Sequence, residues 1–156
     1  MAVTAVTNIT LERVSKKRDL KMVRRVEEEC TSPTYFGLGT PKQQRNFVEN
    51  GGTIFFIKEE GKVVGTTSFK PDGKAAYLAQ LAIRPQHRHK GYGTKAADLL
   101  LEEVKSWGFE KAWGPVHPDN TYSRNIWKNA GFDETDIKPN YFGDGQDRLI
   151  VEKRLQ

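Results

Sequence analysis

The chain has 156 residues, and its 25 Lys and Arg against 20 Asp and Glu give a formal net charge of +5. This length suits a single globular domain over residues 1–156, with residues 1–8 as a loose N-terminus. The longest apolar runs, such as residues 53–57, fall far short of the about 20 residues that cross a bilayer. Residues 1–10 lack the features of a secretory signal, and Cys30, the single cysteine, cannot form an internal disulfide. We therefore expect a cytoplasmic protein that does not act on membranes.

The first half of the chain predicts one strand, two helices and then three strands. Alternation over residues 9–14 predicts the first strand, and apolar residues three apart over 19–29 predict the first helix. Residues 31–41 are loop by composition, and Pro41 begins a second helix that ends near Val48. Three strands are expected next, separated by turns at Glu60-Gly61 and Pro71-Asp72-Gly73: residues 53–59, 62–70 and 76–83.

The second half predicts two more helices and three more strands. A helix over 93–107 carries one apolar stripe and ends at Gly108, a strand follows at 111–117, and a helix over 121–130 ends at Gly131. A final hairpin is expected through Gly143-Asp144-Gly145, from residues 132–142 and 146–154. The order βααβββαβαββ predicts an α/β domain with a mixed, mostly antiparallel sheet and helices on both faces.

The most informative segment is the turn from Leu81 to Thr94, between a buried strand and a helix. Gly91 and Gly93 open a helix whose first amides have no internal partner and lie at the positive end of the helix dipole. Glycines leave those amides open to an anion, and the loop adds the positive charges of Arg88 and Lys90. The pattern predicts a phosphate cradle, most naturally for a pyrophosphate.

Other interpretations of the glycines fit less well. A P-loop needs the spacing Gly-x-x-x-x-Gly-Lys-Ser/Thr, which the segment does not supply. Gly91-x-Gly93-x-x-Ala96 matches the dinucleotide fingerprint, but Glu110, the acid about 20 residues on, precedes the next strand instead of ending it. A glycine-rich turn with incidental charges is the purely structural alternative.

The spacing Arg88-x-x-Gly91-x-Gly93 after a strand resembles the coenzyme A signature of the GCN5-related N-acetyltransferase (GNAT) superfamily. A second motif supports the resemblance at the spacing of that family: Asn120, Ser123, Trp127 and Gly131-Phe132. In element order the resemblance covers almost the whole chain. It implies a GNAT fold and the transfer of an acetyl group from acetyl-CoA, as co-substrate, directly to a primary amine in a ternary complex.

The resemblance also implies which residues contact the cofactor. Main-chain groups of residues 81–83 would bind the pantetheine arm and the acetyl carbonyl, and amides of residues 89–94 would hold the pyrophosphate beside Arg88. In this family the two central strands diverge around the cofactor, and Pro115 fits a strand that loses its partner. The expected cofactor contacts are Leu81, Ala82, Ile83, Arg88, His89, Lys90, Gly91, Tyr92, Gly93, Thr94, Asn120, Ser123 and Trp127.

The chain departs from the family where the acid and the base usually stand. Trp127 replaces the tyrosine proposed as general acid, and Tyr77 and Pro115 occupy the positions of the usual glutamate base. The candidate catalytic residues that could replace them are His117, Tyr122 and Tyr141. Each candidate also has a purely structural interpretation, His117 as a histidine at the end of a strand and the tyrosines as packing aromatics. A water relay without a dedicated base is a further alternative.

The acceptor is expected to enter between the loop 31–41 and the hairpin 133–147. Tyr35, Phe36 and Tyr77 are the candidate contacts. Unless the hairpin is simply a solvated turn, its acids would attract a cationic amine such as a peptide N-terminus, a lysine or a small polyamine. These acids form an acidic rim: Asp133, Glu134, Asp136, Asp144 and Asp147.

Two functions from other classes compete with acetyl transfer. A coenzyme A-binding protein with little or no turnover would explain the missing acid and base, and a basic nucleic-acid module would explain the pI of about 9.3. The excess charge clusters at one loop, residues 84–90, with no basic stripe along a helix, which argues against nucleic acid. His87 and His89 supply too few ligands for a metal. We expect an amine acceptor, no nucleic acid, no metal, and a monomer or homodimer.

Overall fold

The computed structural model describes residues 8–35 and 37–155, so Phe36 and all but one residue of the expected loose N-terminus lie outside the described residues. The helices are α1 (Leu20–Cys30), α2 (Pro41–Glu49), α3 (Tyr92–Ser106) and α4 (Thr121–Asn129). The strands are β1 (Ile9–Arg13), β2 (Thr53–Glu59), β3 (Lys62–Asp72), β4 (Ala75–Ile83), β5 (Lys111–Val116), β6 (Asp133–Lys138) and β7 (Arg148–Arg154). This order confirms the predicted one.

The seven strands form one sheet in the order β1-β2-β3-β4-β5-β7-β6, and β4 and β5 are its parallel pair. Helices cover both faces. Val23 of α1 and Phe47 of α2 pack with Phe56 of β2, whereas Leu100 of α3 and Trp127 of α4 belong to the larger apolar cluster on the other face. The predicted mixed sheet with helices on both faces is therefore confirmed. Among the described residues, no helix is long and apolar enough to span a membrane.

Two strand ends differ from the prediction. Strand β3 continues to Asp72, and Pro71 pairs with Ala76 of β4 instead of beginning a turn. Because β2 pairs with β3 no further than Phe69, one flank of β3 is open there for a residue without an N–H. Strand β6 ends at Lys138 rather than at residue 142. Asn140 adopts a positive φ of 48°, which ends the extended chain.

The sheet opens between β4 and β5. Three residue pairs join these strands, and the last is Tyr77 with Trp113. Beyond it, Pro115 pairs with Ile150 of β7 on the other side, so its missing N–H leaves no bond to β4 unmade. A bulge in β4 at the same level places Leu78 opposite Phe69, and Gln80 opposite Ser68. The divergence expected at Pro115 is present, and it exposes the main chain of β4 to a gap.

Candidate active site

The N-terminus of α3 is an open anion site. Gly91 caps the helix with a φ of 84°, and the first intrahelical bond runs from the Lys95 N–H to the Gly91 carbonyl at 3.1 Å. The amides before Lys95 therefore have no intrahelical acceptor, and no acidic residue lies in the first turn. A groove of about 400 Å³ runs beside this turn, lined by residues of the cradle and of α4. The geometry fits a diphosphate.

Gly93 has a packing role in addition to the one expected. A Cβ at this position would lie 2.5 Å from Cδ1 of Ile126 and 3.3 Å from the Tyr122 hydroxyl, and both of these residues of α4 line the groove. The missing side chain thus allows α3 and α4 to approach closely. Gly91 has a conformational role that was not expected, since its positive φ is unfavourable for other residues.

The charged side chains of the cradle do not all face the helix amides. Arg88 turns back toward the strand, where its Nε donates to the Ile83 carbonyl at 2.9 Å and its guanidinium lies 5.5 Å from the ring centroid of Tyr122. Lys90 is exposed, and His89 adopts a positive φ of 62° with its ring beside Tyr122. Lys90 is thus open to solvent, whereas Arg88 is engaged with the end of β4.

Tyr92 contributes its main chain to the cradle, whereas its side chain has a structural role. The side chain is buried, and its hydroxyl donates to the carboxylate of Glu59 on β2. Thr94 lines the groove beside the first turn of α3.

The register of β4 decides which of its main-chain groups face the gap. The Arg84 N–H donates to the Val64 carbonyl at 2.9 Å, and antiparallel ladders alternate, so the groups of Ala82 face β3. Those of Leu81 and Ile83 face the other way, and the Ile83 carbonyl already accepts from Arg88 and from the Cys30 thiol. The expected cofactor contact of Ala82 is therefore not supported, and Leu81 offers the open main-chain groups.

The second motif lies where α4 begins. Asn120 caps the helix by accepting from the Ser123 N–H at 3.0 Å, and its Nδ2 reaches the Thr34 carbonyl at 3.5 Å. Trp127 is buried and packs edge-on against Phe132 at 5.0 Å. Asn120 therefore connects α4 to the α1–α2 loop, and Trp127 forms part of the core as well as lining a cavity.

A second cavity, of about 480 Å³, lies on the other side of the gap. It is bounded by the α1–α2 loop, by β4 and β5, and by the turn between β6 and β7. Its lining includes Tyr35, Leu38, Gln80, His117, Asn120, Ser123, Trp127, Phe142, Asp144 and Arg148. A smaller cavity of about 90 Å³ lies behind it and shares Tyr35, Leu81, Asn120 and Ser123 with it. This position matches the expected acceptor entrance, and we refer to the larger space as the acceptor cavity.

Both ring nitrogens of His117 are engaged. The Asp119 N–H donates to Nδ1 at 3.0 Å, which places the proton of the neutral ring on Nε2. Nε2 in turn lies 2.6 Å from Oε1 of Gln146. The ring thus braces the β6–β7 turn against the end of β5, and it has no free lone pair for an acceptor amine.

The tyrosine candidates occupy different places. Tyr122 lines the cofactor side, and burial raises the pKa of its hydroxyl, so it keeps its proton. Tyr141 packs against Phe142 at 4.7 Å on the β6–β7 turn. Tyr77 stacks edge-on against Trp113 at 4.8 Å and does not line the acceptor cavity, and Tyr35 lines it. Tyr35 therefore lines the acceptor cavity, whereas Tyr141 and Tyr77 lie close to each other outside its lining, and Tyr122 lies on the cofactor side.

The acidic rim is largely neutralised within the protein. Glu134 pairs with Arg124 at 2.8 Å through two nitrogens of the guanidinium. Asp136 pairs with Lys138 at 3.1 Å, and Asp144 with Arg148 at 3.1 Å. Three of the five acids are thus committed to ion pairs, which corrects the picture of a free negative rim that attracts cations.

A buried carboxyl was missed by the sequence analysis. Glu27 of α1 is 5% exposed, and burial raises its pKa to about 7. The apolar stripe of α1 contained the signal, because Glu27 follows Val23 by four residues and precedes Cys30 by three, which places it on the inward face. In the part of the chain that the structure describes, no group of His, Cys, Asp or Glu side chains could hold a metal ion.

Comparison with known proteins identifies the family. The profile of the acetyltransferase (GNAT) family matches residues 20–132. The ribosomal protein bS18-alanine N-acetyltransferase of Escherichia coli (strain K12) is 23% identical over 116 residues, which cover 71% of this chain and 78% of the relative. An N-alpha-acetyltransferase of Sulfurisphaera tokodaii is 25% identical over 83 residues, 53% of this chain and 50% of that relative.

Solved structures show the same fold. The ribosomal-protein-S18-alanine N-acetyltransferase from Escherichia coli superposes with a TM-score of 0.77 at 21% identity, covering 95% of this chain and 94% of that one. Ard1 from Thermoplasma volcanium superposes with a TM-score of 0.79 at 20% identity, covering 96% and 99%. The family match spans the cradle, the gap and the cap of α4, which are the features described above. The chain belongs to the GNAT family and is a GNAT-type N-acetyltransferase.

Proposed function

We propose that the protein transfers the acetyl group of acetyl-CoA directly to the α-amine of a peptide or protein N-terminus. One observation carries the proposal: three cavities lie next to one another and share lining residues. The groove at α3 and the small cavity share Tyr122, and the small cavity shares Leu81 and Asn120 with the acceptor cavity. A cofactor whose diphosphate lies at α3 would therefore present its acetyl group beside Leu81 of β4, where an amine in the acceptor cavity would meet it.

The proposed roles follow from the groups that face these three cavities. The amides of α3 would hold the diphosphate, and the main chain of Leu81 would orient the pantetheine arm or the acetyl carbonyl. A main-chain N–H aimed at that oxygen would stabilise the charge that develops there during attack. Asn120 would fix the α1–α2 loop against α4, so that both substrates are enclosed.

In the reaction, the amine nitrogen forms a bond to the acetyl carbon, the carbon–sulfur bond breaks, and the sulfur leaves as a thiolate. The amine must be neutral to attack, and it loses a proton to water. An α-amine has a usual pKa near 8 and is about one-tenth neutral at pH 7, whereas a lysine amine, near 10.4, is almost fully charged. Because His117 has no free lone pair, a site without a strong base favours the α-amine.

The relatives support the same acceptor class. The names of two curated relatives describe acetylation of a ribosomal protein at alanine and of an α-amine. The site gives little independent support for a polyamine, because three of the five acids of the rim are paired with cations of the same chain.

A direct assay tests the proposal. The protein is incubated with acetyl-CoA and with two matched peptides: one has a free N-terminus and no lysine, and the other has a blocked N-terminus and one lysine. We expect mass spectrometry to show one added acetyl group on the first peptide, at a rate at least about tenfold above that on the second. Equal rates, or faster lysine acetylation, would contradict the assignment of the acceptor.

A coenzyme A-binding protein with little turnover is the second candidate. Trp127 and Pro115 favour it, because neither can move a proton where the family usually has an acid and a base. Tight binding of acetyl-CoA without acetylation of any amine would establish this alternative.

A further inference from the structure

Glu27 is the point where three elements of the acceptor side meet. Its Oε2 accepts from the Leu38 N–H of the α1–α2 loop at 2.5 Å, and its Oε1 accepts from Nε2 of Gln80 on β4 at 3.4 Å. Gly37 lies directly over the carboxylate, since a Cβ there would lie 1.9 Å from Oε2. The carboxylate thus joins α1, the loop and the strand, and the loop packs so closely on it that position 37 has no space for a side chain.

The same loop forms a wall of the acceptor cavity. Gly37 and Leu38 line that cavity from the loop side, and Gln80 lines it from the strand side. Moving the loop by the length of one hydrogen bond would therefore change the shape of the cavity and leave the groove at α3 untouched.

We propose that Glu27 is a positioning residue for the amine acceptor: its ionised carboxylate holds Gly37 and Leu38 against β4 and so sets the acceptor cavity. The inference rests on the proposed function, because it assigns this cavity to the acceptor. Glu27 does not line the cavity itself, and it acts through the loop. The hydrogen bond to a charged carboxylate is about twice as strong as one to a neutral carbonyl, so ionisation decides how firmly the loop is held.

The surroundings allow two states of this carboxyl. Its titratable neighbours are Cys30 of α1 and Tyr35 of the loop, and burial raises the pKa of both, which keeps them neutral at pH 7. Among the described residues, no Lys, Arg or His lies within ion-pair distance of Glu27. Arg88 lies near Cys30 and Tyr35, and Gln80 and Thr66 complete the cluster from the sheet.

Protonation would rearrange the cluster. Gln80 Oε1 is buried and has no hydrogen-bond partner among the described residues, whereas its Nε2 already donates to Thr66 Oγ1 at 2.7 Å. A protonated Glu27 could donate to Gln80 Oε1, which satisfies that atom and weakens the hold on Leu38. The acceptor cavity should therefore be best defined above pH 7, where Glu27 is ionised.

Two variants and one control test the proposal. Glu27→Leu removes the bond to Leu38, Glu27→Gln keeps an acceptor oxygen but cannot ionise, and Glu28→Gln is the control on the exposed face of the same helix. Acceptor KM, kcat and the Kd of acetyl-CoA are measured with the free N-terminal peptide at pH 6 and pH 8. Hydrogen exchange of the Leu38 amide is followed in every variant at pH 6 and at pH 8, and variants are compared at the same pH.

We expect Glu27→Leu to raise the acceptor KM by about tenfold or more, with the Kd of acetyl-CoA unchanged. Between pH 8 and pH 6 the acceptor KM should rise in both the wild type and Glu27→Gln, because the acceptor amine gains a proton. The rise should be about threefold larger in the wild type, since only the wild type also loses an ionised carboxylate at position 27. Glu28→Gln should match the wild type. The Leu38 amide should exchange faster in Glu27→Leu than in the wild type.

An unchanged acceptor KM in folded Glu27→Leu would overturn the inference, as would identical pH dependence in the wild type and Glu27→Gln. If Glu27→Leu fails to fold, the comparison with Glu27→Gln decides. If the wild type acetylates no amine, the proposed function fails by itself. The exchange of the Leu38 amide then still tests whether the carboxylate holds the loop. Slower exchange in the wild type than in Glu27→Gln at pH 8, with equal exchange in the two proteins at pH 6, would support the inference.

Discussion

At the residue scale, Gly93 shows how one missing side chain serves two neighbours. Its backbone belongs to the first turn of α3, where the amides are open, and its vacant side-chain direction points at Ile126 of α4. The glycine thus lets the anion site be built on a helix that is packed closely against the next one.

We expect Gly93→Ala to lower the free energy of unfolding by about 1–3 kcal/mol, because its Cβ would lie 2.5 Å from Cδ1 of Ile126. Alanine is otherwise favoured over glycine inside a helix, so a net loss would report the contact with Ile126. Urea unfolding measures the change.

The double variant Gly93→Ala with Ile126→Val removes the crowded methyl group and provides the control. Ile126→Val alone should cost about 0.5–1.5 kcal/mol, and the double variant should recover at least half of the loss caused by Gly93→Ala. Strictly additive losses would show that the two residues are not coupled and that the helices are separated by something else.

The chemistry of the cradle was predictable from the sequence because its parts are neighbours along the chain. Gly91 and the open amides follow from the order strand, glycine, helix. Glu27 was not predictable in the same way, since its partners Leu38 and Gln80 lie 11 and 53 residues away. The engagement of both ring nitrogens of His117 was likewise not predictable, because Gln146 reaches the ring from a turn 29 residues on.

At the element scale, the pair β4 and β5 carries the site. The strands are joined over three residue pairs and then part, and the transition occurs at Gly114. A Cβ at Gly114 would lie 2.6 Å from the Leu78 carbonyl oxygen. Glycine is therefore required where β5 passes closest to the main chain of β4, and Pro115 follows at the point where the strands separate.

We expect Gly114→Ala to destabilise the protein by about 1–3 kcal/mol and to weaken acetyl-CoA binding, because the clash is with backbone that cannot rotate away. Lys111→Ala, at the start of the same strand, is the matched control. Its ion pair with Glu152 is largely exposed and contributes less than about 1 kcal/mol. Urea unfolding and calorimetric titration give the two readouts, and a Gly114→Ala protein as stable as the control would contradict this account of the gap.

The order of elements was predictable at this scale, but the strand ends were not. Pro71 indicates a turn in local sequence, yet it continues β3 because β2 has already ended beside it. The segment 139–142 was expected to continue a strand, yet Asn140 leaves the extended conformation and its Oδ1 accepts from the Gly145 N–H at 2.6 Å. The first outcome depends on a neighbouring strand, whereas the second was signalled locally by Pro139 and Asn140, which are typical of turns.

At the scale of the whole molecule, the fold places different chemical groups on the two sides of the gap between β4 and β5. The α3 and α4 side offers main-chain amides and the α4 cap, which suit a polyanionic cofactor. The loop and turn side, between α1 and α2 and between β6 and β7, forms the acceptor cavity. The net positive charge of the chain favours the polyanionic cofactor over a cationic acceptor, and three of the five acids of the rim are already in ion pairs.

The central claim is that this gap binds acetyl-CoA, and a calorimetric titration of the protein with acetyl-CoA at low and high ionic strength tests it most directly. We predict one molecule bound per chain with a Kd in the micromolar range, and weaker binding at high salt because phosphates meet the open amides and Lys90. Gly114→Ala should bind more weakly under both conditions. Absence of binding at either ionic strength would contradict the assignment of the cradle and the acetyl transfer that depends on it.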